Sequence, residues 1–232
     1  MLAAREAPPF TVTAERQTGG VGRLGRPWSS PPGGWWFTVA VTLPSNRRTL
    51  RDDTGLSIAY SVCTTCEATL AGLTGRSPAP KLAIKWPNDI MAEDLKLAGI
   101  LIEVVQAAGR VVALIGVGVN ADIQIADLDP TVRERATTLR AIAGCGVHPG
   151  IARHALEYLP EKLQEAVERP RPRGVAAALV RERLWGVGRT VPITLPGGAR
   201  IHGRIDGITD DGNLLATIKD EQHTFRSVDQ IG

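Results

Sequence analysis

Cysteine is scarce in this chain of 232 residues: there are three, Cys63, Cys66 and Cys145. An odd, low count argues against a disulfide framework and for a reducing compartment. No apolar run reaches the roughly 20 residues that a membrane-spanning helix needs. The opening "MLAAREAPPF" has no basic region followed by an apolar one, which speaks against secretion. These absences point to the cytoplasm and to no membrane partner. A long basic run is also missing, and the net charge is only +3. Nucleic-acid binders concentrate Lys and Arg on one face, so no nucleic-acid partner is expected. The densest basic cluster, "RPRPRG" at Arg169–Gly174, reads as a proline-stiffened linker. Internal repeats and low-complexity segments are lacking as well. What is present, 43% hydrophobic and 22% charged residues, is the make-up of a globular protein with a real core. The length suits one domain, or one domain with a small appendage.

Cys63-x-x-Cys66 and Cys145-x-x-His148 have spacings that formally supply four zinc ligands. Against this, Leu56, Tyr60, Cys63, Leu70 and Leu73 fall on one helical stripe with Cys66 close by. Small buried cysteines are the plainer reading, and no protein-held metal is expected. His148, His154, His202 and His223 have no evident partner and default to surface or core roles.

The order of elements is readable. "FTVTAE" (Phe10–Glu15) is a short strand leading into a glycine loop. In Trp35–Leu43, Phe37, Val39, Val41 and Leu43 alternate with Thr38, Ala40 and Thr42, as on a half-buried strand. Gly55–Leu73 reads as a helix ending near Gly75, and "KLAIKW" as a strand with Leu82 and Ile84 on one face. Leu97–Val105 and Val111–Val119 are nearly all apolar and predict a buried hairpin at the centre of a sheet. Asp129-Pro130 suits the cap and first turn of a helix through "TVRERATTLRAIA". Further helices are expected in "IARHALEYLPEKLQEAVE", kinked or interrupted at Pro160, and in "VAAALVRERLW". Beyond Trp185 the chain turns to short strands and tight turns, the texture of a small barrel packed on the main domain.

"TGGVGRLGRPW" (Thr18–Trp28) carries Gly20, Gly22 and Gly25 spaced as a dinucleotide fingerprint. That fingerprint needs a helix opening at its third glycine and an acidic residue about 20 positions on. Here "RPWSSPPGG" follows Gly25, and Asp52 and Asp53 come only after a complete strand. The nucleotide-fold reading fails on context. What remains is a flexible loop of bared backbone N–H groups, with Arg23 and Arg26 ready for an anion.

"KWPNDIMAEDLKLAGILIEV" (Lys85–Val105) is the most specific stretch. Its strand delivers Lys85, a point charge suited to a carboxylate or phosphate, into a rigid turn. "GVGVNAD" ends the hairpin with Gly116 and Gly118, which permit close backbone approach, and with Asn120 as donor and acceptor. Together the segments describe a site for an anionic substrate and a nucleotide.

With these residues in view, the sequence resembles the biotin protein ligases. The family's glycine-arginine loop, "KWPND" turn, "KLAGIL-x-E" strand and "G-x-G-x-N" strand end stand here at Gly20–Trp28, Lys85–Asp89, Lys96–Glu103 and Gly116–Asn120. "GRIDGITDDGNLL" is similar to the family's small SH3-like domain. The resemblance implies an α+β fold, a mixed, largely antiparallel sheet flanked by helices in the manner of class II synthetases. It implies a biotin- and ATP-binding catalytic domain over residues 1–185 and a small SH3-like β-barrel over 186–232. It further implies that biotin is adenylated by ATP with Mg2+ and passed to a lysine of a biotin carboxyl carrier domain. Lys85 and Arg23 are then the catalytic candidates. Gln17, Gly20, Val21, Gly22, Arg23, Lys85 and Gly116 would face biotin, and Arg23, Arg26, Trp28, Lys85 and Asn120 the ATP or adenylate. Magnesium would travel with the nucleotide, and a homodimer stays open as an assembly.

The chain departs from the family at Val21, where an arginine is usual, and at its beginning. The family has a strand and a Ser-Thr-Asn motif before the loop's strand; here "LAARE" is expected to be the last turn of the helix that follows that motif, and the reading favours a start upstream of Met1. These departures keep two alternatives open, a lipoate-ligase-like relative and a non-catalytic binder of biotin or carrier. Repression through an N-terminal helix-turn-helix is rejected for this chain.

Overall fold

The computed structural model describes residues 7–45, 47–51 and 53–232. The "LAARE" segment lies outside them. Strands β1 (Phe10–Ala14), β2 (Trp35–Thr42), β3 (Ala83–Lys85), β4 (Asp89–Ala92), β5 (Leu95–Ala107) and β6 (Arg110–Val119) form one sheet. Its order is β1-β2-β6-β5-β4-β3, with every neighbouring pair antiparallel. Among the described residues, parallel pairing is confined to isolated bridges such as Ile84–Leu184. The apolar hairpin β5–β6 takes the centre, as its sequence predicts. Ala108 and Gly109 join its strands with φ of 49° and 73°, the left-handed pair that a two-residue hairpin turn requires.

Helices α1 (Thr54–Thr74), α2 (Leu139–Ala143), α3 (Pro149–Glu168) and α4 (Val175–Arg181) complete the larger layer. Phe37, Val39 and Val41 of β2 and Ile115, Val117 and Val119 of β6 face Ile58, Val62, Cys63, Cys66 and Leu70 of α1 in one continuous core. Helix α1 is long and apolar enough to cross a membrane by length and composition, but it is the central helix of this core. Its Ser61 and Thr69 hydroxyls donate to the carbonyls of Ser57 and Thr65, so few polar groups are left bare. α3 continues through Pro160 instead of breaking. A proline inside a helix costs about 3 kcal/mol. Leu159 and Leu163 on either side are fully buried, each worth about 1.5–3 kcal/mol, and that offsets the cost.

The helix predicted after Asp129-Pro130 does not form as one element. Asp129 instead accepts from the Thr131 amide and hydroxyl, one 3₁₀ turn spans Arg133–Arg135, and helix begins only at α2, capped by Thr138. The backbone between is drawn to the sheet, where the Thr137 N–H donates to the Lys96 carbonyl at 3.0 Å. Leu128 and Ala136 pack with Trp36 and Ile123 on the face opposite the helices.

Strands β7 (Thr190–Thr194), β8 (Arg200–Ile208), β9 (Leu214–Ile218), β10 (Glu221–Phe225) and β11 (Gln230–Ile231) form a second antiparallel sheet in the order β10-β9-β8-β7-β11. The expected strands are there, but among the described residues the hydrogen bonding does not close into a barrel. β11 has only two residues and pairs with β7 alone, and β10 is largely exposed. Ile193, Ile205, Ile208, Leu214, Val228 and Ile231 join the same hydrophobic core as the helices. The Trp86 indole N–H, donating to the Gly212 carbonyl at 2.8 Å, ties the two sheets at the edge of the open face.

Candidate active site

The face of the large sheet away from α1 is lined by small residues. Trp36 and Thr38 on β2 pair with Gly118 and Gly116 on β6, which pair with Gly99 and Leu101 on β5. Glycine is required at two of these positions by Trp28, whose indole lies across them. A Cβ at Gly118 would sit 2.6 Å from Trp28 Nε1, and one at Gly99 would sit 3.0 Å from Cζ3. The Trp28 Nε1 is buried without a hydrogen-bond partner among the described residues.

The glycine loop is a folded arm and not the flexible loop its composition suggests. Gln17 N–H donates to Ser30 O at 3.1 Å, Trp28 N–H to Gly20 O at 2.8 Å and Gly22 N–H to Arg26 O at 2.8 Å. The Gly22 amide is therefore spent inside the arm. Gly20 is dictated by close approach, since a Cβ there would lie 2.5 Å from the Trp28 carbonyl. The tip turns through Leu24 and Gly25, with φ of 59° and 71°. No helix opens after Gly25, in keeping with the rejected nucleotide-fold reading.

Arm, sheet and C-terminal segment enclose a cavity of about 700 Å³. Gln17, Gly20, Val21, Gly22, Arg23, Arg26, Trp28, Lys85, Gly116 and Asn120, the whole set of sequence candidates, line it. Their engagement differs. Gln17 accepts from Ser30 Oγ at 2.9 Å. Asn120 lies buried and donates to the Thr137 and Lys96 carbonyls, which leaves its oxygen for a ligand. Arg23 donates to the Val228 carbonyl at 2.8 Å and to Asn88 Oδ1 at 3.3 Å, while Arg26 reaches the Asp229 carbonyl at 3.4 Å. The arm is thus latched onto the C-terminal segment. Burial lowers the Arg23 guanidinium from its ordinary range, with Asp89 opposing the shift.

Lys85 is partly buried, and its Nζ has no hydrogen-bond or ion-pair partner among the described residues. It lies 4.7 Å from the ring centroid of Trp185. Burial pulls its ammonium below the usual lysine range, with Asp89 pulling the other way. Lys96, by contrast, pairs with Asp89 at 2.7 Å and lies 5.0 Å from the Trp28 ring centroid. Lys85 is the cation left to meet an incoming anion.

Sequence reasoning missed Lys96 as a site residue, and missed Trp185 and the Val228–Gly232 segment. Lys96 follows from its motif once Trp28 is placed over Gly99. Trp185 and Val228 had no local signal, because tertiary pairing alone brings them in. The cysteine pattern is dispersed by the fold: Cys63 and Cys66 are fully buried in α1, Cys145 is exposed, and His148 caps α3 by accepting from the Gly150 amide. Burial, then Glu67, pushes the Cys63 thiol up to about 12.

The profile of the Biotin/lipoate A/B protein ligase family matches residues 3–120, and that of the Biotin protein ligase C terminal domain matches residues 186–227. The chain belongs to this ligase family. The Bifunctional ligase/repressor BirA of Bacillus subtilis is 30% identical over 225 residues, an alignment covering 92% of this chain. The chain spans 63% of that relative's length. The Biotin--[acetyl-CoA-carboxylase] ligase of Mycobacterium tuberculosis is also 30% identical, with 89% of this chain and 73% of the relative covered. Among solved structures, the biotin protein ligase from Aquifex aeolicus in complex with biotin and ATP shares the fold, with a TM-score of 0.71 at 24% identity. That match covers 94% of this chain and 85% of the other.

Proposed function

We propose that the chain is a biotin ligase: it adenylates biotin with ATP and transfers biotin to a lysine of a biotin carboxyl carrier domain. The observation that carries this reading is Lys85, an unpaired ammonium in a ligand-sized cavity that Arg23 and Arg26 of the glycine arm also line. In the first step a carboxylate oxygen of biotin bonds to the α-phosphorus of ATP, and the bond to pyrophosphate breaks. The approach of two anions needs positive charge placed in advance, which Lys85 and Arg23 supply. In the second step the carrier amine attacks the acyl carbon, loses a proton and forms the amide, and AMP leaves.

Gln17, Gly20, Val21, Gly22 and Gly116 wall the biotin side in this reading. Trp28, Arg26 and Asn120 hold the adenosine side, where the Asn120 oxygen accepts from an N–H donor. Residues 1–185 carry the substrates and 186–232 form the appended unit that latches the arm. Among the described residues no three His, Cys, Asp or Glu side chains gather into a metal-holding group. Magnesium is read as entering on ATP, and the reaction as cytoplasmic. Two relatives named Biotin--[acetyl-CoA-carboxylase] ligase, those of Mycobacterium tuberculosis and Paracoccus denitrificans, support biotin over lipoate.

The test is acid-dependent ATP–pyrophosphate exchange with biotin and lipoate in competition. Exchange should depend on biotin and fall about 10²–10³-fold in Lys85→Ala. Preference for lipoate, or full exchange in Lys85→Ala, would overturn the assignment.

A further inference from the structure

Lys85 meets no hydrogen-bond acceptor among the described residues, yet its ammonium is partly buried. The neighbour that offsets this is Trp185, and the fold places it deliberately. The outer edge of β3 is bonded to the segment after α4: Ile84 N–H donates to Arg183 O at 2.7 Å, and Trp185 N–H donates to Ile84 O at 2.9 Å. This bridge sets Trp185 beside Lys85, with Nζ 4.7 Å from the ring centroid.

The indole is itself fixed from the β4–β5 turn. Trp185 Nε1 donates to Asp94 Oδ1 at 3.0 Å and to the Glu93 carbonyl at 3.1 Å. Glu93 presents that carbonyl from a left-handed conformation, φ 54°, uncommon for a residue with a side chain. Asp94 is held in turn by Arg189, whose guanidinium also lies 5.6 Å from the Trp185 ring centroid. Gly232 closes the other side, since a Cβ there would lie 3.1 Å from the indole and 3.3 Å from Lys85 Nζ. An aromatic face attracts a cation through its quadrupole. It does so without a carboxylate's charge and without claiming the three N–H donors of the ammonium. A carboxylate in the same place would neutralise the lysine, as Asp89 does for Lys96.

We propose that Trp185, clamped by Asp94 and the Glu93 carbonyl, is a positioning residue that holds Lys85 charged, with its N–H donors free for the acid and the α-phosphate. The inference rests on the ligase reading for its consequence, but the Trp185–Lys85 contact is testable without turnover.

Trace acetylation of the intact protein with acetic anhydride, read lysine by lysine by mass spectrometry, reports the contact, with Lys162 and Lys219 as internal references. Trp185→Leu should raise Lys85 labelling about 2–30-fold, because the ring both shields the amine and stabilises its protonated form. Trp185→Phe, which keeps a ring face, should stay within about threefold of the parent. In biotin-dependent ATP–pyrophosphate exchange the same order should hold, with kcat/KM falling in Trp185→Leu and recovering in Trp185→Phe. A merely structural role would lower the melting temperature of both variants and leave no such order. Equal labelling in all three proteins, or equal gains in both variants, overturns the proposal. Should Trp185→Leu not fold, Asp94, at an exposed position whose charge also acts on Lys85, carries the test through two variants. Asp94→Asn drops the charge but keeps an acceptor for the indole. At least about twofold more Lys85 labelling in Asp94→Ala than in Asp94→Asn supports the clamp, and equal labelling of the two overturns it. Absence of exchange in the parent protein would remove the ligase reading, while the labelling series would still decide the contact.

Discussion

Substituting Gly118 by alanine drives a methyl group into the underside of the Trp28 indole. The new Cβ would lie 2.6 Å from Nε1 and 2.8 Å from Cε2. Carbon contacts settle near about 3.5–4.0 Å, so the ring must lift by about 1 Å. Trp28 cannot lift freely, because its backbone N–H is bonded to Gly20 O and its ring meets Trp36 edge-on at a centroid distance of 6.4 Å. Overpacking of this kind costs about 1–3 kcal/mol. For a chain of this size each kcal/mol is worth about 2–4 °C of Tm. Gly116→Ala is the internal control, two positions along the same strand face. Its Cβ would meet Leu101 O at 3.5 Å and nothing nearer. That substitution should change stability by less than about 0.5 kcal/mol. It puts its methyl into the biotin side of the cavity, so it should weaken biotin with ATP affinity nearly intact. Gly118→Ala should weaken ATP more than biotin. Calorimetric melting and separate ligand titrations read both effects. Gly118→Ala melting no lower than Gly116→Ala, or both variants losing the same ligand, would refute the seat of Trp28 on Gly118.

Other expectations follow from the same geometry. Arg23→Ala removes charged hydrogen bonds to Val228 O and Asn88, each worth about 1.5–3 kcal/mol. The arm should open and release adenylate, so pyrophosphate release should outrun carrier labelling; a fixed ratio of the two would contradict the latch. Trp86→Phe leaves the Gly212 carbonyl without its indole donor, at a cost of about 1–3 kcal/mol seen in thermal melting. An unchanged Tm would show that this tie between the sheets carries no weight. Burial lowers the Lys85 pKa and Asp89 opposes it. The charged, active form is therefore lost as pH rises, earlier than for an ordinary lysine, and Asp89→Asn should move the alkaline limb of kcat/KM to still lower pH. A shift to higher pH in that variant would reverse the assigned sign.

Local signals carried much of the fold. The apolar hairpin could sit only at the sheet centre, and Leu82 and Ile84 turned Lys85 toward the open face, as period-two alternation requires. The glycine motif was legible as an anion loop because its flanking residues forbid a helix. The segment after Asp129 was not legible. Its capping signal is genuine, but the edge of β5 and the Trp36 cluster offer that backbone better partners than helix does. Trp185 and the C-terminal carbonyls were also out of reach. They enter the cavity through pairings about a hundred or more residues apart in sequence, such as Arg23 with Val228, on which no local pattern bears.

The most direct test of the central claim is a carrier-labelling assay on this chain: ATP, magnesium, biotin and a biotin carboxyl carrier domain, with product read by streptavidin and pyrophosphate release followed in parallel. The account predicts label on the carrier lysine, dependent on biotin and ATP and abolished in Lys85→Ala. Folded protein that releases no biotin-dependent pyrophosphate and leaves the carrier unlabelled would contradict it.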